Sequence, residues 1–339
     1  LRTRDEGLHG VTVAELATWT GRDEGELRRW AKKGRQLALS NRGMPVAWHY
    51  DEASDMVDFV TEAVDTMFTD TNAHRLTKDG KATETMGHVT GPGPAAGVPQ
   101  GAFLDTLKFE EEPPYFYVPW ALGDDVDGDY WFWDWMFAGY KDTISIPLDL
   151  PGAVAYGQGE IRVRLQGRTD VLDGNDHLVR AELNGVQIGE VEWDGLAPAE
   201  LVGSFNQSML ASTNVLTLVT VYASGSTTGQ LLDDIEVSYW RMPMAVDDTL
   251  WLHGMTPDVD HTVGGFTTDQ IVVVESPLAS PVWRDDVTVQ HAGDGTFNVT
   301  FAAAGIEADY LVVGDNASVE PTIDEDIPSR LAKRNNRAD

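Results

Sequence analysis

The chain has 339 residues and no cysteine, and its 55 acidic residues outnumber 24 basic residues, for a formal net charge of −31. This charge argues against nucleic acid or an anionic membrane as the main partner, because both bind cationic surfaces. Without cysteine, disulfides, zinc–thiolate sites and thiol nucleophiles are excluded. The length allows two or three domains, and no apolar run approaches the length of a transmembrane helix.

Residues 1–75 are predicted to form a small α+β region. Two short helices, VAELATWT and DEGELRRWAKKG, should meet at Gly21, with Asp23 and Glu26 as a capping box and Gly34 as the helix stop. Strand-like segments follow, LALS and PVAWHY, and DMVDFVTEAV fits either a strand or a helix. The helix pair resembles the helix-turn-helix of MerR-type regulators, which implies DNA binding. The acidic remainder of the chain favours instead a protein that binds no nucleic acid.

Two segments of unusual composition come next. Residues 76–101 are rich in Gly, Pro, Thr and Ala, which is typical of a linker or a long exposed loop. Residues 102–140 combine many aromatic side chains with many carboxylates. We interpret the aromatic residues as a plug between two modules. The alternative is a sugar-binding platform built on Trp131 and Trp133, which would need exposed indole faces beside hydrogen-bonding groups.

A possible cation site lies within the aromatic segment. Asp125, Asp127 and Asp129 occupy alternate positions around a glycine turn. Calcium prefers about six to eight oxygen ligands, and clustered carboxylates supply them. The EF-hand pattern is not met, because Met136 stands where a glutamate would close the loop. The run therefore predicts a calcium loop of another type, and the alternative is a set of solvated carboxylates.

Three consecutive strands are predicted over residues 160–195. IRVRL and HLVRAEL alternate apolar and polar residues, which is typical of half-buried strands. Asn184 and Gly185 predict a type I′ hairpin turn, because that turn needs positive φ at both central residues. Val186 should face inward, and the change of parity at Gly189 predicts a β-bulge. His177 is expected to be structural and to order the loop before it.

Later strands complete the predicted architecture, a mainly β fold. Residues 102–245 are predicted to form a jelly-roll β-sandwich, residues 246–318 a small β-sandwich, and residues 319–339 a linker towards a following domain. In LLDDIEVSYW, the apolar residues of the IEVSY portion should face the core and Asp234 should face outward. HExxH, GxSxG and a Gly-rich phosphate loop are absent from the sequence, so we expect that the chain is not itself an enzyme.

The order of the motifs is similar to the region that precedes the catalytic domain in gingipain-like cysteine peptidases of family C25. GLHGVTVAELATWTG, FTDTNAHRL and FEEEPPYF belong to this resemblance. So do the motifs within residues 177–185, 191–195, 231–241, 263–273 and 308–313. The resemblance implies a galactose-binding-like jelly roll, a small β-domain and then a peptidase domain that carries the catalytic His and Cys.

No position matches that catalytic pair, so the resemblance implies a non-catalytic accessory or pro-region, secreted or at the cell surface. Its partner would be an adjoining or cleaved peptidase domain that it scaffolds, masks or targets. Galactose-binding-like jelly rolls often hold a structural calcium ion near the last strand, and the similarity assigns this role to Asp234 with an oxygen from the Glu110 region. The alternative is a free-standing extracellular carbohydrate-binding or adhesion module whose partner is a glycan or another cell-surface component.

Overall fold

A computed structural model describes residues 1–64, 69–111, 131–170, 174–221 and 228–324. Over these ranges the fold is mainly β, with two α-helices near the N-terminus. The strands form several sheets with a β-sandwich at the centre of the chain, which confirms the predicted fold class. Three units follow one another: an α+β unit, a large β-sandwich and a small β-sandwich.

The α+β unit contains two helices and two antiparallel sheets. Its helices are α1 (Val13–Thr20) and α2 (Glu24–Lys32). Its strands are β1 (Arg2–Thr3), β2 (Gly7–Thr12), β3 (Leu37–Asn41), β4 (Met44–Val46), β5 (Trp48–Asp51), β6 (Met56–Thr61) and β7 (Asn72–Lys78). The sheets have the orders β1-β7-β3-β4 and β2-β6-β5. The segment DMVDFVTEAV, which fitted either structure, therefore begins as a strand.

The helix ends follow the predicted chemistry, except that the complete capping box lies at α1 and not at α2. Gly21 ends α1 in the left-handed conformation, and the Asp23 carboxylate accepts a hydrogen bond from the backbone of Glu26 at the start of α2. The complete capping box forms at α1, where Thr12 and Glu15 cap each other's backbone amides. Each cap supplies a partner for backbone amides that the first helical turn leaves unpaired.

The large β-sandwich has two facing sheets. After β8 (Gly87–Val89), its strands are β9 (Phe103–Phe109), β10 (Asp134–Phe137), β11 (Thr143–Leu148), β12 (Gln158–Gly167), β13 (His177–Leu183), β14 (Val186–Trp193), β15 (Pro198–Asn206), β16 (Asn214–Thr220) and β17 (Gly229–Arg241). One sheet has the order β10-β17-β12-β15, with β9 also paired to β17, and the other has the order β11-β16-β13-β14. The inward side chains of both sheets form one apolar core.

The hairpin at the centre of the sequence forms as predicted. Asn184 and Gly185 have φ values of 51° and 79°, as a type I′ turn requires. Ala181 pairs with Gly189, but the next residue, Glu182, pairs with Gln187. Ile188 is therefore the extra residue of a bulge that lies beside Gly189. The inward orientation expected for Val186 is wrong. Its side chain is 53% exposed, because it lies beside the turn at the start of β14, an edge strand of its sheet.

The last strand of the large sandwich has the predicted two faces. Ile235, Val237 and Tyr239 are fully buried in the core. One extra residue of β17 interrupts its register with β12 between Leu232 and Ile235. This bulge lets both flanking apolar residues point into the core, and it sets the direction of the Asp234 side chain between them.

The small β-sandwich follows directly. Its strands are β18 (Thr249–Met255), β19 (His261–Phe266), β20 (Ile271–Glu275), β21 (Val282–Arg284), β22 (Val287–His291), β23 (Phe297–Phe301) and β24 (Ala308–Gly314). One sheet has the order β18-β24-β20-β21-β8 and the other β19-β23-β22. Strand β8 joins this sheet from the distant 76–101 segment and runs parallel to β21.

The 76–101 segment lies along the small sandwich. The Gly97 amide donates to Thr300 Oγ1 at 3.0 Å, and Thr288 Oγ1 donates to the Pro94 carbonyl at 2.7 Å. A separate apolar cluster joins the α+β unit to the small sandwich, with members on both sides such as Val60 and Leu311. The α+β unit and the small sandwich are thus connected by packing as well as by the chain.

Candidate functional site

The structure describes both predicted platform residues, and one of them lies against the large sandwich. Trp133 packs on the apolar core, and its backbone amide donates to the Leu232 carbonyl at 2.9 Å. Trp131 is half-buried, and Phe132 between them is only 3% exposed. Part of each indole is therefore used in packing, which favours the plug interpretation of this segment over an open sugar platform.

A second aromatic pair lies a few residues further on, and its Tyr140 is 82% exposed. The rings of Trp135 and Tyr140 stack with centroids 5.8 Å apart and planes inclined by 14°. Lys141 Nζ lies 5.3 Å from the Trp135 centroid and 2.5 Å from an Asp134 carboxylate oxygen. Strand alternation in β10 could have predicted the outward position of Trp135. Its neighbour Met136 points into the core, so Trp135 must point to the other face of the sheet.

The first predicted cation site cannot be located. Asp125, Asp127 and Asp129 lie outside the described residues. Among the residues with a described placement, no group of three or more His, Asp or Glu side chains has the arrangement of a metal site. The calcium loop at these three aspartates stays a prediction from the sequence.

The second predicted cation site is a network of ion pairs. Both oxygens of Asp234 accept hydrogen bonds from Arg164 Nη1 at 2.7 Å, and Lys108 Nζ lies 3.3 Å from one of them. The same ammonium group is 2.5 Å from Glu110, so it lies between the two predicted ligands. Hydrogen bonds to Glu236 and then to Asp234 raise the pKa of Arg164. Because cations already neutralise Asp234, its surroundings do not fit a calcium ion.

His177 lies at the centre of a buried polar network. Its Nε2 is 3.0 Å from the Thr169 carbonyl and 2.9 Å from the Gly195 carbonyl, and its Nδ1 is 2.7 Å from Thr228 Oγ1. The imidazole, which is fully buried, stacks on Trp193 with centroids 4.7 Å apart. The ring thus connects three separate loops, which is the role of an ordering residue rather than of a reactive group.

Asn184 connects its hairpin to a neighbouring strand. Its side-chain amide donates to the Met209 carbonyl and to Asn214 Oδ1, each at 3.0 Å, and its oxygen accepts from the Val215 amide at 3.0 Å. Gly185 beside it supplies the second positive φ of the turn. Both residues therefore serve the fold at this end of the sandwich.

Two of the basic residues of the second helix, Arg28 and Lys32, are engaged by carboxylates. The single Nε–H of Arg28 is shared between the two Asp55 oxygens, at 3.0 and 2.8 Å, and Nη2 donates to Glu24 at 2.9 Å. Lys32 Nζ lies 2.6 Å from a Glu52 oxygen. These contacts neutralise charges that a recognition helix would direct at phosphates, so they argue against the DNA-binding alternative.

One inter-unit contact has no counterpart among the sequence predictions. His49 of the α+β unit stacks on Trp283 of the small sandwich, and His88 packs edge-on against His49 at 5.2 Å. His88 Nε2 and the Trp283 indole N–H both contact the Asp285 carboxylate, at 2.7 and 3.1 Å. Burial first, and then the neighbouring His88, lower the pKa of His49 to about 4, so the stacked ring is neutral near pH 7.

Comparison with known proteins shows a similar fold, but no significant similarity of sequence. No protein-family model matches the sequence, and no curated protein matches it significantly. The crystal structure of dimeric latent PorU from Porphyromonas gingivalis is similar over 95% of this chain, with a TM-score of 0.64 and 13% sequence identity. The structure of infectious bursal disease virus Gx strain gives a TM-score of only 0.18 at 9% identity, covering 92% of this chain and 78% of that chain.

The chain spans about a third of the PorU chain, since the similarity covers 32% of it. The likeness therefore concerns the fold of one part of that protein. None of the helices that the structure describes is long and apolar enough to span a membrane.

Proposed function

We propose that this chain is a non-catalytic accessory or pro-region of a C25-like cysteine peptidase, secreted or held at the cell surface. The observation that carries the proposal is the shared fold: almost the whole chain superposes on part of PorU, which is related to the gingipain-like peptidases. The order of motifs along the sequence supports the same assignment. In this role the chain scaffolds, masks or targets a catalytic domain.

The start of the chain is bonded to residues 322–324, the last residues that the structure describes. The Arg2 amide donates to the Thr322 carbonyl at 2.7 Å, and the Thr322 amide donates back to the Arg2 carbonyl at 3.0 Å. Arg2 also pairs with Asp324 at 2.8 Å. Residues 319–324 have thus crossed back from the small sandwich to the α+β unit.

The packing between units suits a scaffold. The α+β unit and the small sandwich share an apolar cluster and the His49–Trp283 stack, and β8 is inserted into the sheet of the small sandwich. Such continuous contacts resist relative motion more than a flexible linker does. A rigid body of this kind holds an attached domain in one orientation.

The proposal is tested by producing residues 1–339 together with the segment encoded after Asp339, expressed either in one chain or as two chains. We expect the two chains to co-purify, and we expect the downstream segment alone to be less soluble or to have altered peptidase activity. The charge-reversed variant Asp324→Lys, which breaks the pair with Arg2, should weaken co-purification, and Asp294→Lys on a distant loop is the matched control. Independent behaviour of the two chains in every assay would contradict the proposal.

Calcium binding and glycan binding are secondary proposals, and each has its own experiment. Calcium would be held by Asp125, Asp127 and Asp129, and its removal by a chelator should lower the melting temperature in a way that calcium alone restores. A glycan array read with wild-type protein and with Trp131→Ala and Trp133→Ala variants tests the binding-module alternative. Loss of a specific glycan signal in these variants would support that alternative over the accessory role.

A further inference from the structure

Residues 318–324, which we call the strap, run from the small sandwich across the α+β unit. The Val319 amide donates to the Leu8 carbonyl at 3.0 Å, and the Gly10 amide donates to the Val319 carbonyl at 3.1 Å. The two hydrogen bonds between the backbones of Arg2 and Thr322 hold the other end. The strap is therefore bound to the edge of β2 and to the start of the chain.

The strap is bound at few points and is open to solvent between them. A cavity of about 480 Å³ lies between the strap and the start of the chain, where Arg4 and His9 are part of its lining. Four of the seven strap residues are exposed: Val319, Glu320, Thr322 and Asp324. A segment with few buried contacts and exposed backbone hydrogen bonds opens at a lower cost in free energy than the whole domain.

A buried carboxyl group lies at the beginning of the strap. Asp58 is on β6, the middle strand of its sheet, opposite Gly10 on β2 and His49 on β5, and it is 5% exposed. A Cβ atom on Gly10 would lie 2.6 Å from Asp58 Oδ1 and 3.5 Å from Ser318 Oγ. The carboxyl group and the first strap residue thus lie beside the same point of β2, and Ser318 Oγ is buried there.

No cation neutralises this carboxyl group. In the part of the chain that the structure describes, no lysine or arginine pairs with Asp58, and Ser318 Oγ has no hydrogen-bond partner. The groups that face Asp58 from β5 are the carboxylate of Asp51 and the ring of His49, which is neutral near pH 7. Ionised Asp58 is therefore a buried charge without a partner, whereas the protonated form needs no counter-charge.

A second carboxyl pair lies between the strap and α1. A hydrogen bond between the side chains of Glu15 and Glu320 lowers the pKa of Glu15 and raises the pKa of Glu320. This hydrogen bond needs one proton, and without it the two carboxylates repel each other. The pair therefore favours a bound strap at low pH, as Asp58 does.

The remaining charged groups around the strap change less. Arg2 pairs with Asp324 at 2.8 Å, and both keep their charges near neutral pH. Burial lowers the pKa of His9 from its ordinary value of 6.5, so its ring is neutral above that pH. Burial also lowers the pKa of the Leu1 amine from 8.0, and its attraction to Asp324 weakens as the pH rises. Comparison with a variant of Asp58 alone removes these shared contributions.

We propose that the strap is a pH-sensitive element that binds to the α+β unit while Asp58 is protonated and is released when Asp58 ionises. Burial, and then the charge of Asp51, raise the pKa of Asp58 to about 7 from 3.8, so the stabilising contribution is present at acid pH and is lost as the pH rises through 7. The stack of His49 on Trp283 includes no strap residue, so the two units stay together on release. This inference does not depend on the proposed accessory role.

The absence of cysteine lets one introduced thiol report release of the strap. Ser318→Cys places a thiol at the buried hydroxyl position, and 4,4′-dithiodipyridine reacts with it when the strap is open. The rate is divided by that of glutathione at the same pH, which corrects for thiol ionisation. Between pH 6 and pH 8.5 the corrected rate should rise about tenfold, and in Ser318→Cys combined with Asp58→Asn by less than about threefold. No rise, or an equal rise in both proteins, would overturn the proposal.

A second thiol separates release of the strap from global unfolding. Val179→Cys lies in the core of the large sandwich, where Val179 is fully buried, and its corrected rate should not change with pH. The same pH dependence at both thiols would show global unfolding and would overturn the proposal.

Amide hydrogen exchange decides the outcome if Ser318→Cys fails to fold or leaves its thiol unprotected. The Val319 amide of the unsubstituted protein should lose about tenfold of its protection between pH 6 and pH 8.5, and the loss should be smaller in Asp58→Asn. Protection that stays constant with pH, or an equal loss in both proteins, would overturn the proposal.

Discussion

The imidazole of His49 lies flat on the indole of Trp283, with ring centroids 4.1 Å apart and ring planes inclined by 11°. His49 belongs to β5 of the α+β unit and Trp283 to β21 of the small sandwich, so the stack joins units separated by the whole large sandwich in sequence. Trp283 is also part of the apolar cluster between these units. The contact therefore contributes to the rigidity that the scaffold role requires.

Replacement of Trp283 by alanine should weaken this junction. The side chain is 7% exposed, and loss of a large buried aromatic group costs about 3–5 kcal/mol in the free energy of unfolding. Urea denaturation measures the loss. Trp19→Ala, which removes an indole that is 56% exposed, is the matched control and should change stability by less than about 1 kcal/mol. Equal effects of the two substitutions would show that the junction does not contribute to stability.

Acid should loosen the same junction through His49. Burial holds the pKa of His49 at about 4 against the opposing charges of Asp285 and Asp51, and the ordinary value is 6.5. Between these pH values the unfolded chain binds the proton more tightly than the folded chain does. The stabilising contribution of the buried, neutral His49 ring is therefore lost as the pH falls from about 6.5 to 4.

The comparison of wild type with His49→Gln isolates this effect, because other titrating groups are common to both proteins. Wild type should lose about 1–2 kcal/mol relative to the variant between pH 7 and pH 4, after allowance for solvent screening of the half-buried ring. Denaturation curves at a series of pH values measure the difference. A difference that stays constant with pH would contradict the buried, neutral state of His49.

Asp58 should have the opposite pH dependence. Burial, and then the charge of Asp51, raise the pKa of Asp58 to about 7 from an ordinary value of 3.8. The protonated carboxyl is compatible with burial, so its contribution is present at pH 4 and is lost as the pH rises through 7. Asp58→Asn, which imitates the protonated group, should stabilise the protein by about 2–4 kcal/mol at pH 8 and by almost nothing at pH 4. Destabilisation at pH 8 would contradict this account.

His177 should be essential for the end of the large sandwich that it connects. His177→Ala removes a fully buried ring with several hydrogen bonds and leaves the Thr169 and Gly195 carbonyls unpaired, so we expect a loss of about 3–5 kcal/mol. His291→Ala, at an exposed position, should cost less than about 1 kcal/mol. Thermal melts measured by circular dichroism check both. A melting temperature of His177→Ala equal to wild type would exclude the ordering role.

Much of the fold could be predicted because local signals and tertiary structure agree. The alternation from Ile161 to Leu165, the turn at Asn184 and Gly185 and the helix stop at Gly21 each depend on neighbours within a few residues. Val186 differs because its exposure depends on the position of β14 at a sheet edge, which no local pattern encodes.

The candidate sites were harder to predict because they join residues that are distant in sequence. Lys108 lies between Asp234 and Glu110 because β9 pairs with β17, and the sequence does not show this pairing. The stack of His49 on Trp283 likewise depends on packing between units. A count of carboxylates identifies candidate ligands, but it does not show which cationic side chains already pair with them.

The coding sequence that follows Asp339, read together with the intact mass of the native protein, tests the central claim most directly. The accessory role predicts a downstream α/β domain with a catalytic His and Cys, either in the same chain or separated by cleavage. A native mass that ends between Arg330 and Arg337 would identify a cleaved accessory or pro-region. A stop codon close to Asp339, or a downstream segment without that pair, would contradict the accessory role and would favour a binding module that acts alone.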